Sequence, residues 1–425
     1  MERNDTQFRT FLKILEEELI PAMGCTEPIA VAYASAKARK VLAHKPDHII
    51  AEVSSSIIKN VKSVIVPNTG HMKGIAASVS AGTVAGNSEK KLEVLADVRK
   101  EQIGEIEEYM KKTPIEVKYL DRGHLFDIII TACYQCETAQ VQIQDYHTNI
   151  IKISKNHEVL FEAECEHCET HRADRSIMNM KNIWDFAMLV KPSDVTETIG
   201  KQIIFNSAIS KEGLRGNYGA NIGRTLLEKY ENSIENKAAA SAAAGSDARM
   251  SGCEMPVIIN SGSGNQGIAC SMPVITYARE MNICEEKMIA ALALSNLTAI
   301  YQKEGIGTLS AYCGVISAGI GAAAGISYLK VGTFDAFVHT VTNALGIASG
   351  VICDGAKPSC AAKSCLAVQT GLFSLNMYCN EQALQSGDGI IAEDTDSTVR
   401  NVWRIASEGM HSTNDTIIDL MINSD

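Results

Sequence analysis

The sequence predicts an α+β protein: a mainly helical domain rich in small residues, with a small α+β module inserted into it. Three observations support this fold class. Hydrophobic residues make up 46% of the chain but aromatic residues only 5%, so small side chains must supply much of the core. Helical spacing of apolar residues recurs on both sides of the chain's middle part. Alternating, β-branched segments cluster between residues 92 and 155, which indicates strands there.

Changes in composition and in hydrophobic pattern divide the chain into three predicted parts. Residues 1–90 form the N-terminal part of the helical domain, with helices over 7–20 and 27–42, the second capped by Thr26. Residues 91–200 form the small module, and residues 201–425 the rest of the helical domain. Strand-like pieces occupy 48–66, and a tightly packed helix occupies 75–86. Within the module a helix over 100–112 lies among strands in LEVLADV, IEVKYL, DIIITACY, TAQVQIQDY and NIIKIS.

Charge and cysteine content limit the classes of function. The net charge of −11 argues against a nucleic-acid surface, which needs clustered lysine and arginine. The N-terminal sequence MERNDTQFRTFLKILEEELI lacks the pattern of a secretory signal. With 13 cysteines and no such signal, we expect a cytoplasmic protein whose cysteines are metal ligands, catalytic groups or core residues. We expect a small-molecule substrate and no membrane partner; a homo-oligomer remains open.

Residues 307–328 form an uncharged stretch as long as a membrane span. Its glycine, alanine and serine content favours a buried helix in a water-soluble protein instead. Gly314, Gly321 and Gly325 would let another helix approach closely.

A set of C-terminal cysteines is the first candidate for chemistry. Cys313 lies in the motif AYCG, and Cys353 and Cys360 bracket the loop CDGAKPSC. Three thiolates on a four-iron cluster would leave one iron free to act as a Lewis acid. Spacing alone leaves open that these are small core residues, and Cys365 and Cys379 lie nearby as rival ligands.

Five short motifs together resemble the L-cysteine desulfidase family, which is related to the α-subunit of bacterial iron–sulfur L-serine dehydratases. They are GCTEP at 24–28, IIKN at 57–60, SGSGNQG at 261–267, YCG at 312–314 and CDGAKPSCA at 353–361. The resemblance covers nearly the whole chain. It implies an oxygen-sensitive [4Fe–4S] cluster held by Cys313, Cys353 and Cys360 in a catalytic domain, and it implies no pyridoxal phosphate.

The activity implied by the resemblance is a lyase reaction: β-elimination that converts L-cysteine to pyruvate, ammonia and sulfide. Dehydration of L-serine would follow the same mechanism. The resemblance makes Cys25 a catalytic candidate, and Lys59 and Asn60 are further polar candidates. A position just before a helix favours a thiolate at Cys25, although the nearby Glu27 opposes it. The alternative is a buried cysteine in a structural turn.

The SGSGNQG segment is the predicted substrate-binding loop. Its Ser261, Ser263, Asn265 and Gln266, with Lys357 from the cysteine loop, offer hydroxyls, amides and a charge that suit a carboxylate. A phosphate loop is a weaker alternative, because the segment lacks the lysine of a P-loop. An ordinary turn between helices also remains open.

Two CxxC pairs, Cys133 with Cys136 and Cys165 with Cys168, suggest a structural zinc site in the small module. The alternative is a set of unrelated cysteines. These pairs also support a competing function of another class, a zinc-binding interaction protein, which would contain zinc, lack iron and be stable in air.

Overall fold

The computed structural model describes residues 1–120, 122–163, 172–307 and 309–423. Within these ranges the helices are α1 (Thr6–Glu18), α2 (Thr26–Leu42), α3 (Ser55–Val61), α4 (Gly74–Ala85), α5 (Lys100–Lys112), α6 (Met180–Ala187), α7 (Lys201–Arg215), α8 (Ile222–Lys229), α9 (Ile234–Met250), α10 (Gly264–Glu280), α11 (Glu285–Ile306), α12 (Gly314–Lys330), α13 (Phe334–Ala348), α14 (Ser359–Cys379), α15 (Thr395–Arg404) and α16 (His411–Asn423). The strands are β1 (Pro21–Met23), β2 (His48–Val53), β3 (Ile115–Tyr119), β4 (Asp127–Tyr134), β5 (Glu137–Gln144), β6 (Ile150–Lys155), β7 (Glu158–Glu162) and β8 (Pro256–Ile258). The predicted α+β class, mainly helical, is confirmed.

One six-stranded sheet forms the small module. Its strand order is β3-β2-β4-β5-β6-β7; β2 and β3 run parallel, and the other neighbouring strands are antiparallel. Helix α2 packs against β4 and β5, whose residues Ile128, Ile130 and Val141 are buried. Because β2 precedes residue 90, the sheet contains a strand from the predicted N-terminal part of the chain.

The helical domain surrounds α9, whose residues from Ala238 onward are buried. This helix packs against α7, α8, α10 and α14. Glycines set the distance between several neighbouring helices: a Cβ at Gly321 of α12 would overlap the Ser295 carbonyl of α11, and one at Gly325 would overlap the Ala291 carbonyl. The predicted close approach at these two glycines is therefore confirmed.

Two short strands tie the N-terminus to the helical domain. β1 and β8 pair antiparallel, with Pro21 opposite Ile258 and Met23 opposite Pro256. The pairing matters for function, because it places the start of α2 beside the start of α10.

Two predicted strands are wrong. Residues 48–66 form β2 and then α3, because Ser54 ends the strand by binding the Leu125 carbonyl through its hydroxyl, at 2.8 Å. In LEVLADV, successive turns follow a 3₁₀ helix at 88–93, and Lys91 has a positive φ of 48°. Leu92, Val94 and Leu95 are all buried, so a 3₁₀ helix and turns can bury the apolar residues that predicted a strand.

The uncharged stretch at 307–328 contains most of α12, a 17-residue helix in which all but a few residues are buried. Across the described part of the chain, no helix has both the length and the apolar character needed to span a bilayer.

Candidate active site

Cys313 and Cys353, 40 positions apart in sequence, lie on adjacent backbone segments. The Cys313 N–H donates to the Val351 carbonyl at 3.0 Å, and the Cys353 N–H donates to the Ala311 carbonyl at 2.6 Å. Contact with the Cys313 thiol lowers the pKa of Cys353, and the charges of Lys59 and Lys363 support the same shift. Two of the three predicted cluster ligands are therefore neighbours.

Cys360 lies in the first turn of α14. It packs with Cys25, Val64 and Met250 in a small apolar cluster. Its charge interacts with those of Cys353 and Cys313, so the three predicted ligands lie near one another, and the region they enclose is called the cysteine pocket. The loop that leads to Cys360 reaches this position through Gly355, whose φ is +93° and where a Cβ would overlap the Lys59 carbonyl.

The donors in this pocket are cysteine sulfurs, the ligand type that iron–sulfur clusters use. Among the described residues, no group of three or more His, Cys, Asp or Glu side chains has the geometry to hold one metal ion. A four-iron cluster is larger, and each thiolate binds a different iron, so its ligands need not converge on one point. Cys313, Cys353 and Cys360 are free thiols, and lysines 59, 303 and 363 interact electrostatically with Cys353.

Cys25 is the N-cap residue of α2 and lies beside the cysteine pocket. Its thiol donates to Glu27 Oε2 at 3.4 Å. Burial, followed by the negative charge of Glu27, raises the pKa of Cys25 well above that of an ordinary thiol. The expected lowering of its pKa by the helix N-terminus is therefore wrong, because desolvation and the adjacent carboxylate outweigh the helix dipole.

Glu27 is a largely buried carboxylate that stays ionised. Its burial opposes ionisation, but the adjacent His147 ring, a backbone N–H and the charge of Arg249 together outweigh burial and hold the pKa of Glu27 at about 2. His147 Nε2 lies 3.9 Å from Glu27 Oε1 and comes from the turn between β5 and β6. The small module therefore contributes a residue to this site.

Thr26 binds the Gly-rich segment instead of capping α2. Its hydroxyl donates to the Gly262 carbonyl at 2.8 Å, and no side-chain cap is present at this helix end. The predicted capping role is wrong, because Cys25 occupies the cap position and Thr26 is already the first helical residue. The contact instead fixes the Gly-rich segment against the start of α2.

The SGSGNQG segment is partly a turn and partly a helix. Ser261 and Gly262 have positive φ values of 47° and 77°, and α10 begins at Gly264 with Ser263 as its N-cap. Asn265 and Gln266 therefore lie in the first helical turn, where both are buried. Gln266 reaches the start of α12, since a Cβ at Gly314 would lie 2.7 Å from its amide.

Arg249 also belongs to this site, although the sequence does not predict it. It lies in the last turn of α9 and is only 4% exposed. Its Nε and Nη2 have no hydrogen-bond partner among the described residues. The guanidinium packs on Gly264, where any side chain would overlap Nε. No motif marks Arg249, because it follows an alanine-rich stretch and only the tertiary packing reveals that it is buried.

The other polar candidates already have protein partners. The Lys59 ammonium donates to Asn414 Oδ1 at 2.6 Å, and the Asn60 amide donates to the Ser56 carbonyl at 2.8 Å. Lys357 forms an ion pair with Asp354 inside the cysteine loop. Lys59 lies near Cys353 and helps to compensate its charge, whereas Lys357 faces an acidic neighbour.

The predicted zinc site falls partly outside the described residues. Cys133 is half-buried on β4, and Cys136 is exposed in the turn that follows it. Cys165 and Cys168 lie in the segment that the structure does not describe. Structural zinc therefore stays a prediction.

A cavity of about 950 Å³ adjoins the site on the side of the small module. Its lining includes His147, Ser261, Gly262 and Lys303, together with Tyr146 from the β5–β6 turn. This volume lies within the range of small-molecule sites, and its wall includes Gly262, whose carbonyl accepts the hydrogen bond from Thr26.

Four helices begin at the pocket: α2 after Cys25, α10 after Ser263, α12 after Cys313 and α14 just before Cys360. Their N–H groups and dipoles favour negative charge there. Buried thiols, an ionised carboxylate and an unpaired guanidinium in one pocket are characteristic of an enzyme's active site.

Comparison with known proteins identifies the family. Residues 89–419 match the serine dehydratase alpha chain family, and the chain belongs to that family. The UPF0597 protein of Desulfitobacterium hafniense strain Y51 is 50% identical over 424 residues, covering 100% of this chain and 99% of that protein. The UPF0597 protein of Treponema denticola is 43% identical over 429 residues, covering 99% and 100%. That of Phocaeicola vulgatus is 37% identical over 419 residues, covering 96% of each.

The predicted relationship to the α-subunit of serine dehydratases is thus confirmed. Membership in this family supports an enzyme of the lyase type.

Proposed function

We propose that this protein is an iron–sulfur lyase that removes the β-substituent of a small L-amino acid. L-Cysteine is the substrate we expect, with pyruvate, ammonia and sulfide as products. The observation that supports this most strongly is that Cys313, Cys353 and Cys360 share one pocket with Cys25. Packing of a hydrophobic core does not by itself require four buried or half-buried thiols to lie close together.

Cys313, Cys353 and Cys360 would hold a [4Fe–4S] cluster. The bound cluster would supply an iron with an open position, a Lewis acid for the leaving group or carboxylate. The surrounding protein favours negatively charged thiolates for two reasons. Lys59 and Lys363 lie near Cys353. Helix α12 begins after Cys313 and α14 begins just before Cys360, and helix N-termini favour negative charge.

Cys25 is the candidate base for the α-proton. It rests as a thiol, because burial and Glu27 raise its pKa. The ammonium of an incoming amino acid would favour the thiolate, since a positive charge nearby lowers a thiol's pKa. Glu27 orients the thiol through their 3.4 Å hydrogen bond, and its negative charge attracts the same ammonium.

Anaerobic purification followed by iron, sulfide and zinc analysis tests the proposal. We expect iron and acid-labile sulfide in the wild type and release of sulfide from L-cysteine. Cys353→Ser should lose the iron and the activity together. Cys365→Ser is the matched control, because Cys365 is also on α14 but is not assigned to the cluster, and it should keep both. Zinc without iron, or full iron content in Cys353→Ser, would refute the assignment.

Dehydration of L-serine is the second candidate, and the family match supports it. The same residues would act, with hydroxide in place of hydrosulfide as the leaving group. The ratio of kcat/KM for L-cysteine and L-serine on the anaerobic enzyme decides between the two substrates.

A further inference from the structure

We infer that Arg249 binds the α-carboxylate of a free amino acid, in a pocket where Asn265, Gln266 and Glu27 receive its ammonium. This inference rests on the proposed function and deepens it, because it assigns residues to the carboxylate and the ammonium of the amino acid.

The first argument is the burial of an unpaired cation. Arg249 is 4% exposed, yet its Nε and Nη2 lack hydrogen-bond partners among the described residues. Its Nη1 reaches only the Met250 sulfur, a weak acceptor, at 3.7 Å. A buried guanidinium with unsatisfied N–H groups is costly, and a bound anion removes that cost. A carboxylate matches the planar fork of a guanidinium.

The second argument is the presence of unpaired acceptors on the neighbouring helix. Asn265 Oδ1 and Gln266 Oε1 are buried and have no hydrogen-bond partner in the described structure. Their residues are 5% and 6% exposed and lie in the first turn of α10, against which Arg249 packs at Gly264. Oxygens accept hydrogen bonds and cannot donate them, so they suit an ammonium group.

The third argument is the position of this pocket relative to the reactive groups. Met250, next to Arg249 in sequence, packs against Cys25 and Cys360, and Asn265 Nδ2 contacts the Met250 sulfur at 3.1 Å. The charge of Arg249 interacts with those of Cys25 and Glu27. A substrate held between Arg249 and Glu27 would therefore present its Cα to the side of the pocket where Cys25 lies.

These features predict which molecules bind. L-Alanine carries both charges but no leaving group, so we expect it to bind without reacting. Cysteamine carries the amine and the thiol but no carboxylate, so we expect it to bind much more weakly. A peptide with cysteine inside its chain lacks both free charges and should not bind.

The test measures L-alanine binding to the holoenzyme by isothermal titration calorimetry, with iron content determined on the same samples. Arg249→Gln should weaken L-alanine binding by roughly 10- to 100-fold, the usual effect of losing a charged hydrogen bond, and leave iron content unchanged. Arg249→Lys should weaken it less, because the charge remains without the fork. Arg279→Gln, an exposed arginine at the end of α10, is the control and should bind normally.

Unchanged L-alanine binding in Arg249→Gln with full iron content would overturn the inference. If Arg249→Gln fails to fold, Arg249→Lys decides in the same way, and equal binding of cysteamine and L-alanine to the wild type would also overturn it. Failure of the proposed function is distinguishable, because it appears as absent iron or absent sulfide release while Arg249 still governs L-alanine binding.

Discussion

Glu27 lies between Cys25, the candidate base, and His147 of the small module. Its carboxylate accepts a hydrogen bond from Cys25 at 3.4 Å, and it lies 3.9 Å from the His147 ring. Because His147, a backbone N–H and the charge of Arg249 stabilise the ionised form more than burial disfavours it, the folded protein binds this proton far less readily than the unfolded chain does.

Glu27→Gln should lower the free energy of unfolding by about 3 kcal/mol at pH 7, from the difference between a folded pKa of about 2 and the usual 4.5. A lowered folded pKa stabilises the protein above the unfolded pKa, and this stabilisation is lost as pH falls toward the folded value. The difference in the free energy of unfolding between wild type and variant should therefore become smaller below about pH 4.5. Urea unfolding from pH 7 to pH 4 measures it.

Glu89→Gln is the control for that experiment. Glu89 is exposed and pairs with Lys40 on the surface at 2.7 Å, so its replacement should leave the free energy of unfolding almost unchanged. An equal effect in the two variants, or a Glu27→Gln penalty that grows as pH falls, would contradict the interpretation of Glu27.

The sequence predicts the positions of some site residues but not their environments. The motif around Cys25 predicts a cysteine at a helix start, and the structure places one there. Its pKa was not predictable, because it depends on burial and on the geometry of Glu27. Arg249 was not predictable at all, since an arginine after an alanine run has no local sign that it is buried without a partner.

At the scale of elements, glycines determine how closely the helices pack. Gly321 brings α12 against the Ser295 carbonyl of α11, and Gly213 brings α7 against the Ala244 carbonyl of α9. These contacts fix the position of α9 and α12, and therefore of Arg249 and Cys313, which lie at their ends.

Gly321→Ala should destabilise the protein by about 1–3 kcal/mol, because the added methyl overlaps backbone and forces the two helices apart. Gly104→Ala is the matched control: it lies inside α5 with no atom within 4 Å of the new Cβ. Alanine there should stabilise by about 0.5–1 kcal/mol. Thermal and urea unfolding of both variants checks the opposite signs; stabilisation by both would contradict the packing argument.

The elements that sequence predicts well have one strong periodicity along their length. Helix α5 and strands β3 to β6 are examples, and all lie where the pattern places them. The region at 92–98 failed because a 3₁₀ helix and successive turns bury Leu92, Val94 and Leu95 there without a strand. The α3 region failed because Ser54 ends β2 through a bond to Leu125, a residue distant in sequence.

At the scale of the whole molecule, the site draws on residues from nearly the full length of the chain. Cys25 is near the start, Arg249 in the middle, and Cys313, Cys353 and Cys360 near the end. The small module adds His147. The family resemblance implies the ligand set, but the place where these cysteines meet depends on the packing of α9, α10, α12 and α14, which no local pattern encodes.

Loss of the cluster should therefore loosen several elements at once. We expect air exposure to lower the midpoint of thermal unfolding by about 5 °C or more, because a ligand bound only to the folded state stabilises it. Thiol alkylation read by mass spectrometry should label Cys313, Cys353 and Cys360 only after exposure. The exposed Cys284 serves as the internal control and should react in both samples. Equal labelling of the three cysteines before and after exposure would contradict this.

The span from Cys25 to Cys360 also affects biosynthesis. Cys360 is translated 335 residues after Cys25, which at about 5–20 residues per second takes roughly 20 to 70 seconds. A cluster held by Cys313, Cys353 and Cys360, as proposed, could form only once Cys360 has been synthesised. Under this proposal, iron delivery would follow synthesis of most of the chain.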